Sequence, residues 1–333
     1  MVSLKFNMKK NFHFIAKEVI ETEILSLKKL KVSINKKFNK IIEAIIKCKN
    51  GKIIFSGVGK SGIISRKWAA TFSSTGTPSF FLDASNASHG DLGQIDIYRD
   101  VLILISLSGQ SEELKNIIQF ASRNKKLKLI GITSNKNSLL YKNSDIKFLM
   151  PKIKEAGPGN LVPTSSTTLQ LALGDAIAIA CMKFRKFGNL DFKKFHPGGS
   201  LAIKLRTVED LMRTGNSIPF VKENLLMKEA LRVLVKKGLG VLIVKNNKGN
   251  TIGIVTDGDI KRANQKFKNI QNLRVKNIMT KNPLKVDKDV LADKALSLMS
   301  ENKITSLCVY KNNKKPKTIG IIHIHDILKA NIA

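Results

Sequence analysis

Two short segments constrain this chain most, Gly57-Val58-Gly59-Lys60-Ser61-Gly62 and, further along, Ser106-Leu107-Ser108-Gly109-Gln110-Ser111. Each stands where an apolar, strand-like run ends and a helical pattern begins. Strand, then a glycine- or hydroxyl-rich loop, then helix is the order of an open parallel sheet, whose strand ends share the crevice where ligands bind. Glycines let the backbone approach an anion, and hydroxyls and helix N-terminal N–H groups then hold it. Two such loops in one domain point to a phosphorylated small molecule.

The surrounding pattern supplies the sheet. Strands are expected at 52–56, 79–82, 101–106, 128–133 and 146–150, and helices near 61–74, 111–124, 136–142 and 164–185. Ahead of them, 12–50 reads as helix. Ile15, Val19, Ile20, Ile24, Leu27, Ile34, Phe38, Ile41, Ile42, Ile45 and Ile46 mostly fit one stripe, and Gly51 is the stop. Alternating strand and helix predicts an α/β fold with a parallel sheet covered on both faces.

The C-terminal part is built differently, from an internal repeat. Val208-Glu209-Asp210-Leu211-Met212 matches Val275-Lys276-Asn277-Ile278-Met279, and Glu229-Ala230-Leu231 matches Lys294-Ala295-Leu296. Gly253-Ile254-Val255 matches Gly320-Ile321-Ile322, and Asp259-Ile260-Lys261-Arg262-Ala263 matches Asp326-Ile327-Leu328-Lys329-Ala330. Each unit reads helix, strand, strand, helix, and two such units with open apolar faces are expected to pack as a pseudo-symmetric pair.

Composition narrows the function classes. The 333 residues suffice for two or three domains, and a 43% hydrophobic content allows a true core. The net charge of +33 raises nucleic acid as a partner. The excess is mostly lysine scattered among Asn and Ile, as at Lys125-Lys126 and Lys314-Lys315, with no helix-turn-helix, zinc-finger or aromatic RNA-binding signature. The expectation is therefore no nucleic acid and a compositional drift toward Lys, Asn and Ile. Cys48, Cys181 and Cys308 are far apart in apolar runs, as buried free thiols in a reducing cytosol would be. Met1 to Lys10 lacks a signal-peptide core, and no uninterrupted apolar run is long enough to span a bilayer, so a cytoplasmic protein without membrane contact is expected.

The chain resembles the D-arabinose-5-phosphate isomerase family, in which a sugar isomerase (SIS) domain is followed by two CBS domains. The segments that carry the resemblance are 57–66, 71–81, Ala87-Ser88-His89-Gly90-Asp91-Leu92-Gly93, Lys154-Glu155-Ala156, 163–168 and His196-Pro197-Gly198-Gly199. It implies an N-terminal helical segment at 1–40, an SIS domain at 41–195 with a five-stranded parallel sheet in a flavodoxin-like three-layer arrangement, and a linker at 196–207 carrying His196. CBS domains of α+β type are implied at 208–267 and 275–333. The implied reaction is D-ribulose 5-phosphate to D-arabinose 5-phosphate and back through an enediol, the first step toward the lipopolysaccharide sugar Kdo, without cofactor, by a homotetramer. Alternatives are a paralogous isomerase of another sugar pathway and a non-catalytic sugar-phosphate sensor.

The candidate site residues follow. Lys60 invites a P-loop reading, but the Walker pattern needs glycine at the position of Ile54, so this is not a nucleotide loop. The resemblance makes Lys60 an active-site point charge for a substrate oxygen or phosphate. It marks Ser106, Ser108, Gly109 and Ser111 as the phosphate loop, although Leu107 stands where relatives commonly carry a polar residue and Gln110 where they often carry Glu. Gly59, Ser61, Gly62, Gly76, Thr77 and His89 are further expected substrate contacts. Glu113, in the pattern SGxSxE, and Glu155 are the implied functional acids or bases, and His196 serves ring opening or proton transfer, in its own subunit or a neighbouring one. His89 with Asp91 is a weak metal pair, so no required metal is expected and an inhibitory zinc is the most His89 implies. Thr256 and Asp259 stand where ligand-binding CBS domains contact a ribose, whereas the second copy has His323 for the Thr and keeps Asp326. A regulatory nucleotide there, or a plain oligomer interface, are both open.

Overall fold

The computed structural model describes residues 12–311 and 317–332; the expectations for 1–11, for Lys314-Lys315 and for 312–316 and 333 of the second repeat lie outside them. The chain divides at Gly188 into two compact units.

The first unit begins with α1 (Phe12–Ser33) and α2 (Lys36–Lys47), where one helix over 12–50 was expected. Asn35 separates them: its Oδ1 accepts the Lys37 N–H at 2.8 Å and starts α2 afresh. The stripe divides with the helix. Ile41 and Ile45 of α2 are fully buried, whereas Ile15 and Ile20 of α1 are 48% and 56% exposed.

From Gly51 onward strands and helices alternate: β1 (Ile53–Gly57), α3 (Gly59–Ser74), β2 (Ser79–Phe81), α4 (Ala84–Ala87), β3 (Val101–Ile105), α5 (Glu112–Arg123), β4 (Lys128–Thr133), α6 (Leu139–Asn143), β5 (Ile146–Leu149) and α7 (Ser165–Phe184). The five strands form one parallel sheet in the order β2-β1-β3-β4-β5. Side chains alternate between its faces. Ile53, Phe55, Ile103, Ile105, Ile130 and Phe148 pack with α2, α3 and α7, while Ile54, Leu102, Leu104 and Leu129 pack with α4, α5 and α6. Helix, sheet and helix thus make three layers, as the alternation predicts.

α7 is, among the described residues, the one helix long and apolar enough by composition to cross a membrane. The sequence reading passed over it because Thr, Gln, Gly and Asp interrupt its apolar residues. Within the unit it is a core helix: Leu169, Leu173, Ile177 and Cys181 are buried, Gly174 admits the ring of Trp68, and the Trp68 indole N–H donates to the Gln170 carbonyl at 3.0 Å.

The second unit opens with α8 (Asn189–Phe195), α9 (Gly199–Lys204), α10 (Val208–Leu211) and β6 (Arg213–Thr214). The first repeat follows as β7 (Phe220–Lys222), α11 (Met227–Lys237), β8 (Val241–Lys245), β9 (Thr251–Thr256) and α12 (Asp257–Lys266). Then come β10 (Thr280–Lys281) and the second repeat, β11 (Lys285–Asp287), α13 (Ala292–Glu301), β12 (Ser306–Tyr310), β13 (Gly320–His323) and α14 (Ile324–Lys329). The reading helix, strand, strand, helix omitted the parallel strands β7 and β11, whose three residues are too few to show an alternation.

The spatial modules also exchange their leading segments. Sheet order is β10-β9-β8-β7 in one and β11-β12-β13-β6 in the other. Val208, ahead of the first repeat, donates its N–H to the Val290 carbonyl at 2.8 Å and is buried with Ala292, Met299 and Ile322 of the second. Val275 likewise donates to the Leu225 carbonyl at 2.9 Å and is buried in the first. Gly253 and Gly320 permit the exchange, because a Cβ there would lie 2.8 Å from Met279 Sδ and 2.5 Å from Met212 Sδ. The two sheets share a core of Ile218, Leu239, Val241 and Ile243 with Cys308, Tyr310 and Ile321, the expected pseudo-symmetric pairing.

Candidate active site

The order of the first sheet reverses beside β1: β2 lies on one side of it and β3, reached by crossing over, on the other. A doubly wound sheet binds ligands at that switch point, outside the strand ends. Gly57 and Ile105, the last residues of β1 and β3, are paired, so the two loops singled out in the sequence leave the sheet side by side.

α3 starts one residue after β1. Gly62 allows this, since a Cβ on it would stand 2.7 Å from the Gly57 carbonyl oxygen. Gly59 takes φ +55° with open space around it. The loop after β3 is folded by its own hydroxyls. Ser106 Oγ accepts the Gly109 N–H at 3.0 Å and lies 3.1 Å from Ser111 Oγ, while Ser108 Oγ accepts the Gln110 N–H at 3.2 Å. The Leu107 carbonyl accepts from Thr133 Oγ1 and Ser134 Oγ at 3.0 and 2.9 Å, and its side chain packs on the core. An apolar residue at 107 therefore fits the loop. Beside it opens a cleft of about 880 Å³ lined by Ser108, Ser134, Asn135, Lys136 and Lys152 among others. Sequence reading missed this cleft because its walls come from the ends of three different strands.

Neither α3 nor α5 has a side-chain cap on its N-terminal N–H groups, and α3 has no acidic residue in its first turn. Lys60 is exposed in that turn, at the positive end of the helix dipole, where a cation is locally unfavourable and an anion is stabilised. In α5, Glu112 pairs with Lys115 at 2.5 Å, and Glu113 is exposed in the first turn. The edge thus offers N–H groups, hydroxyls and a lysine for an anion, with the Glu113 carboxylate on the same helix turn.

His89 is exposed just beyond α4, its N–H donating to the Asn86 carbonyl at 2.8 Å. Asn116 of α5 donates to Ser88 Oγ at 2.8 Å and ties the His89 segment to the helix that carries Glu113. This tie joins residues that no motif links in sequence. Gly76 and Thr77, by contrast, precede β2 and so lie at the opposite edge of the sheet. There Arg185 donates to Thr77 Oγ1, to the Gly76 carbonyl at 3.3 Å and to the Ile45 carbonyl at 3.4 Å. Within this chain the structure does not bring Gly76 and Thr77 to the loop at 106–111, because a parallel sheet puts all strand starts at one edge.

Glu155 is 6% exposed and folded onto the start of α7. Its Oε2 accepts the N–H groups of Thr164 and Ser166 at 2.8 and 3.1 Å and the Thr164 hydroxyl at 3.2 Å. Burial works to raise its pKa, but these hydrogen bonds outweigh it and hold the carboxyl below its ordinary value of 4.5. A carboxyl whose folded pKa is depressed contributes stability above the unfolded pKa and loses it as pH falls through the folded one. Glu155→Gln is accordingly expected to lower the melting temperature at neutral pH, with the gap to the parent narrowing below pH 4.5. A gap independent of pH in thermal melts would remove Glu155 as the acid-sensitive group.

His196 belongs to the second unit, directly after α8, where it lines a cavity with Lys193, Ser200 and Arg206. In the repeat pair a cavity of about 460 Å³ is lined by Thr256, Gly258, Arg262, Thr280, Thr305 and others. Asp259 is absent from that lining. Its Oδ2 accepts from the Thr256 N–H and hydroxyl at 2.8 and 2.7 Å, and its Oδ1 from Thr280 and Arg262 at 2.8 and 2.5 Å. In the second copy Arg213 holds Asp326 through two bonds of 3.0 and 2.9 Å.

Comparison with known proteins fits this geometry. The SIS domain family matches residues 45–180, and the CBS domain family matches 208–266 and 275–333. Arabinose 5-phosphate isomerase KdsD of Francisella tularensis is 42% identical, over 95% of this chain and 96% of its own. The KdsD of Yersinia pestis is 39% identical, over 97% of both chains. The chain belongs to the KdsD family of arabinose 5-phosphate isomerases. An uncharacterized protein of Rickettsia prowazekii is a further relative, at 41% identity over 97% of this chain and 98% of its own. Among solved structures, E. coli CFT073 c3406 in complex with arabinose 5-phosphate is 37% identical with a TM-score of 0.54, covering 57% of this chain and 100% of that one. The family's two-part organisation, a sugar isomerase domain and a CBS pair, is therefore that of this chain.

Proposed function

We propose that the protein interconverts D-ribulose 5-phosphate and D-arabinose 5-phosphate through an enediol. The observation that carries this reading is the pair of uncapped helix starts, α3 and α5, leaving neighbouring strand ends with Lys60 on one and Glu113 on the other. They suit a phosphate anchor beside a base. The substrate is read from the KdsD relatives and from the arabinose 5-phosphate bound by the E. coli protein.

In this reading the phosphate sits on the hydroxyls and N–H groups of Ser106, Ser108, Gly109 and Ser111, with Lys60 as a point charge. Fixing the phosphate places the reacting carbons against the side chains and removes most of the entropic part of the barrier. A base takes a proton from C1 of the ketose while O2 is protonated, giving the enediol. A proton then returns to C2 as O1 loses its own, giving the aldose. Glu113 suits the carbon base, being exposed, while Glu155 is held ionised by the α7 N-terminus and is the poorer base. Glu155 then shapes the loop at the site, and His196, of the same subunit or a neighbouring one, moves protons at the substrate oxygens. Assembly into a homotetramer belongs to the same reading, supported by the apolar side chains that α1 leaves exposed, Phe12, Phe14, Ile20 and Val32 among them. So do a cytoplasmic location, service to Kdo synthesis, and a regulatory ligand at Thr256.

The test is to incubate the pure protein with D-ribulose 5-phosphate and follow the sugars by NMR. Arabinose 5-phosphate is expected, without ribose or xylulose phosphate. Saturable binding without turnover would replace the enzyme by a sugar-phosphate sensor, and a different epimer would overturn the substrate assignment.

A further inference from the structure

His196 is held by its own helix in one orientation. Its ring stacks on Phe192 with centroids 3.7 Å apart and planes 6° from parallel. Its Nδ1 lies 2.9 Å from the Phe192 carbonyl oxygen. A carbonyl can only accept, so Nδ1 carries the hydrogen, and in the neutral ring Nε2 keeps the free lone pair. One residue thus contributes both constraints, its ring setting the plane of the imidazole and its main chain setting the tautomer.

The helix that carries Phe192 is itself tied down. α8 has seven residues, too few to be stable alone. Lys193, next to Phe192, donates to Asp210 Oδ2 at 2.5 Å. The same oxygen accepts the Thr207 N–H and hydroxyl at 2.6 and 2.9 Å, at the start of α10. Pro197 follows the imidazole and limits the chain on its other side.

We propose that Phe192 is a positioning residue for His196, presenting the imidazole with Nε2 as the reacting nitrogen; this rests on the isomerase reading and on His196 taking part in it. In this role Phe192 acts through the histidine, by its ring and its carbonyl.

The experiment combines kinetics with ¹⁵N NMR of the histidine rings in the full-length protein. Phe192→Leu keeps the carbonyl and removes the aromatic face. It is expected to lower kcat about threefold to tenfold, the range that an aromatic pair's energy gives, with KM little changed. Phe192→Tyr is expected to keep the parent rate, and in a His196→Ala background Phe192→Leu is expected to change nothing further. The parent's neutral His196 is expected to be protonated on Nδ1; in the Leu variant the imidazole, no longer held in its plane by the stacked ring, is expected to swing off the residue 192 carbonyl part of the time and so to show a mixture of tautomers. An equal loss of kcat in the His196→Ala background, or an Nε2–H tautomer in the parent, would overturn the positioning role. If His196→Ala itself turns over like the parent, the catalytic role of His196 fails, and the tautomer spectra still decide whether Phe192 orients the ring. Should the Leu variant not fold, the parent spectrum and the Tyr variant decide.

Discussion

Glu113→Gln is expected to lower kcat by at least about 10²-fold while leaving the fold intact, as removal of a positioned proton-transfer group does. Glutamine keeps the size and a polar end, and Glu113 is an exposed residue of the first turn of α5, so no core contact is lost. What disappears is the carboxylate beside the proposed phosphate loop. KM should change little, because the proposed anchor of Ser106, Ser108, Ser111 and Lys60 is untouched. The neighbouring Glu112→Gln is the control: that carboxylate already pairs with Lys115, and its loss should leave kcat near the parent value. A Glu112 variant as damaged as the Glu113 variant would mean that the charge at the helix start matters and the specific carboxylate does not. His196→Ala is expected to lose turnover on the same scale.

Gly109→Ala is expected to be the most damaging single methyl in the proposed phosphate loop. Gly109 has φ +65°, and a Cβ there would fall 2.3 Å from Ser138 Oγ and 2.8 Å from Thr133 Oγ1. The left-handed backbone alone costs about 1–2 kcal/mol for an L-residue, and the contact with β4 and the start of α6 adds to it. The loop can relieve the clash only by moving out, which also breaks the bond from the Gly109 N–H to Ser106 Oγ. The expected result is a melting temperature lowered by several degrees together with a raised KM for the sugar phosphate. Gly59→Ala makes the comparison. Gly59 also has positive φ, but nothing lies within 4 Å of its Cβ position, so only the backbone penalty should appear. Equal effects of the two variants on stability and KM would count against the packed loop described here.

The loops were legible because glycine and serine at strand ends are local chemistry. Gly57, Gly62 and Gly109 are each needed where a backbone comes within contact distance of its neighbour, and a sequence displays that need directly. Glu155 was less legible. The motif marks it as an acid or base, but only the folded loop shows three donors converging on one of its oxygens. The same holds for Asp259, which the resemblance to ligand-binding CBS domains places at a ribose contact and whose carboxylate is spent on Thr256, Thr280 and Arg262. Gly76 and Thr77 show the opposite limit, since a motif carries no record of which edge of a sheet its residues reach. The break at Asn35 was missed because an apolar stripe can run through a new helix start without interruption.

The sequence by itself determined the alternation that makes a parallel sheet, the two glycine- and hydroxyl-rich loops at its strand ends, the repeat, and the identity of the candidate acids and bases. All are set by neighbours within a few residues, by the period of apolar side chains or by the repetition of a pattern. The tertiary structure alone decided that β1 and β3 lie side by side, that Asn116 reaches Ser88, and that Lys193 meets Asp210. It likewise decided that each repeat takes its edge strand from the segment ahead of the other. These depend on which distant segments pack together, and side-chain packing between segments leaves no periodic trace in the chain.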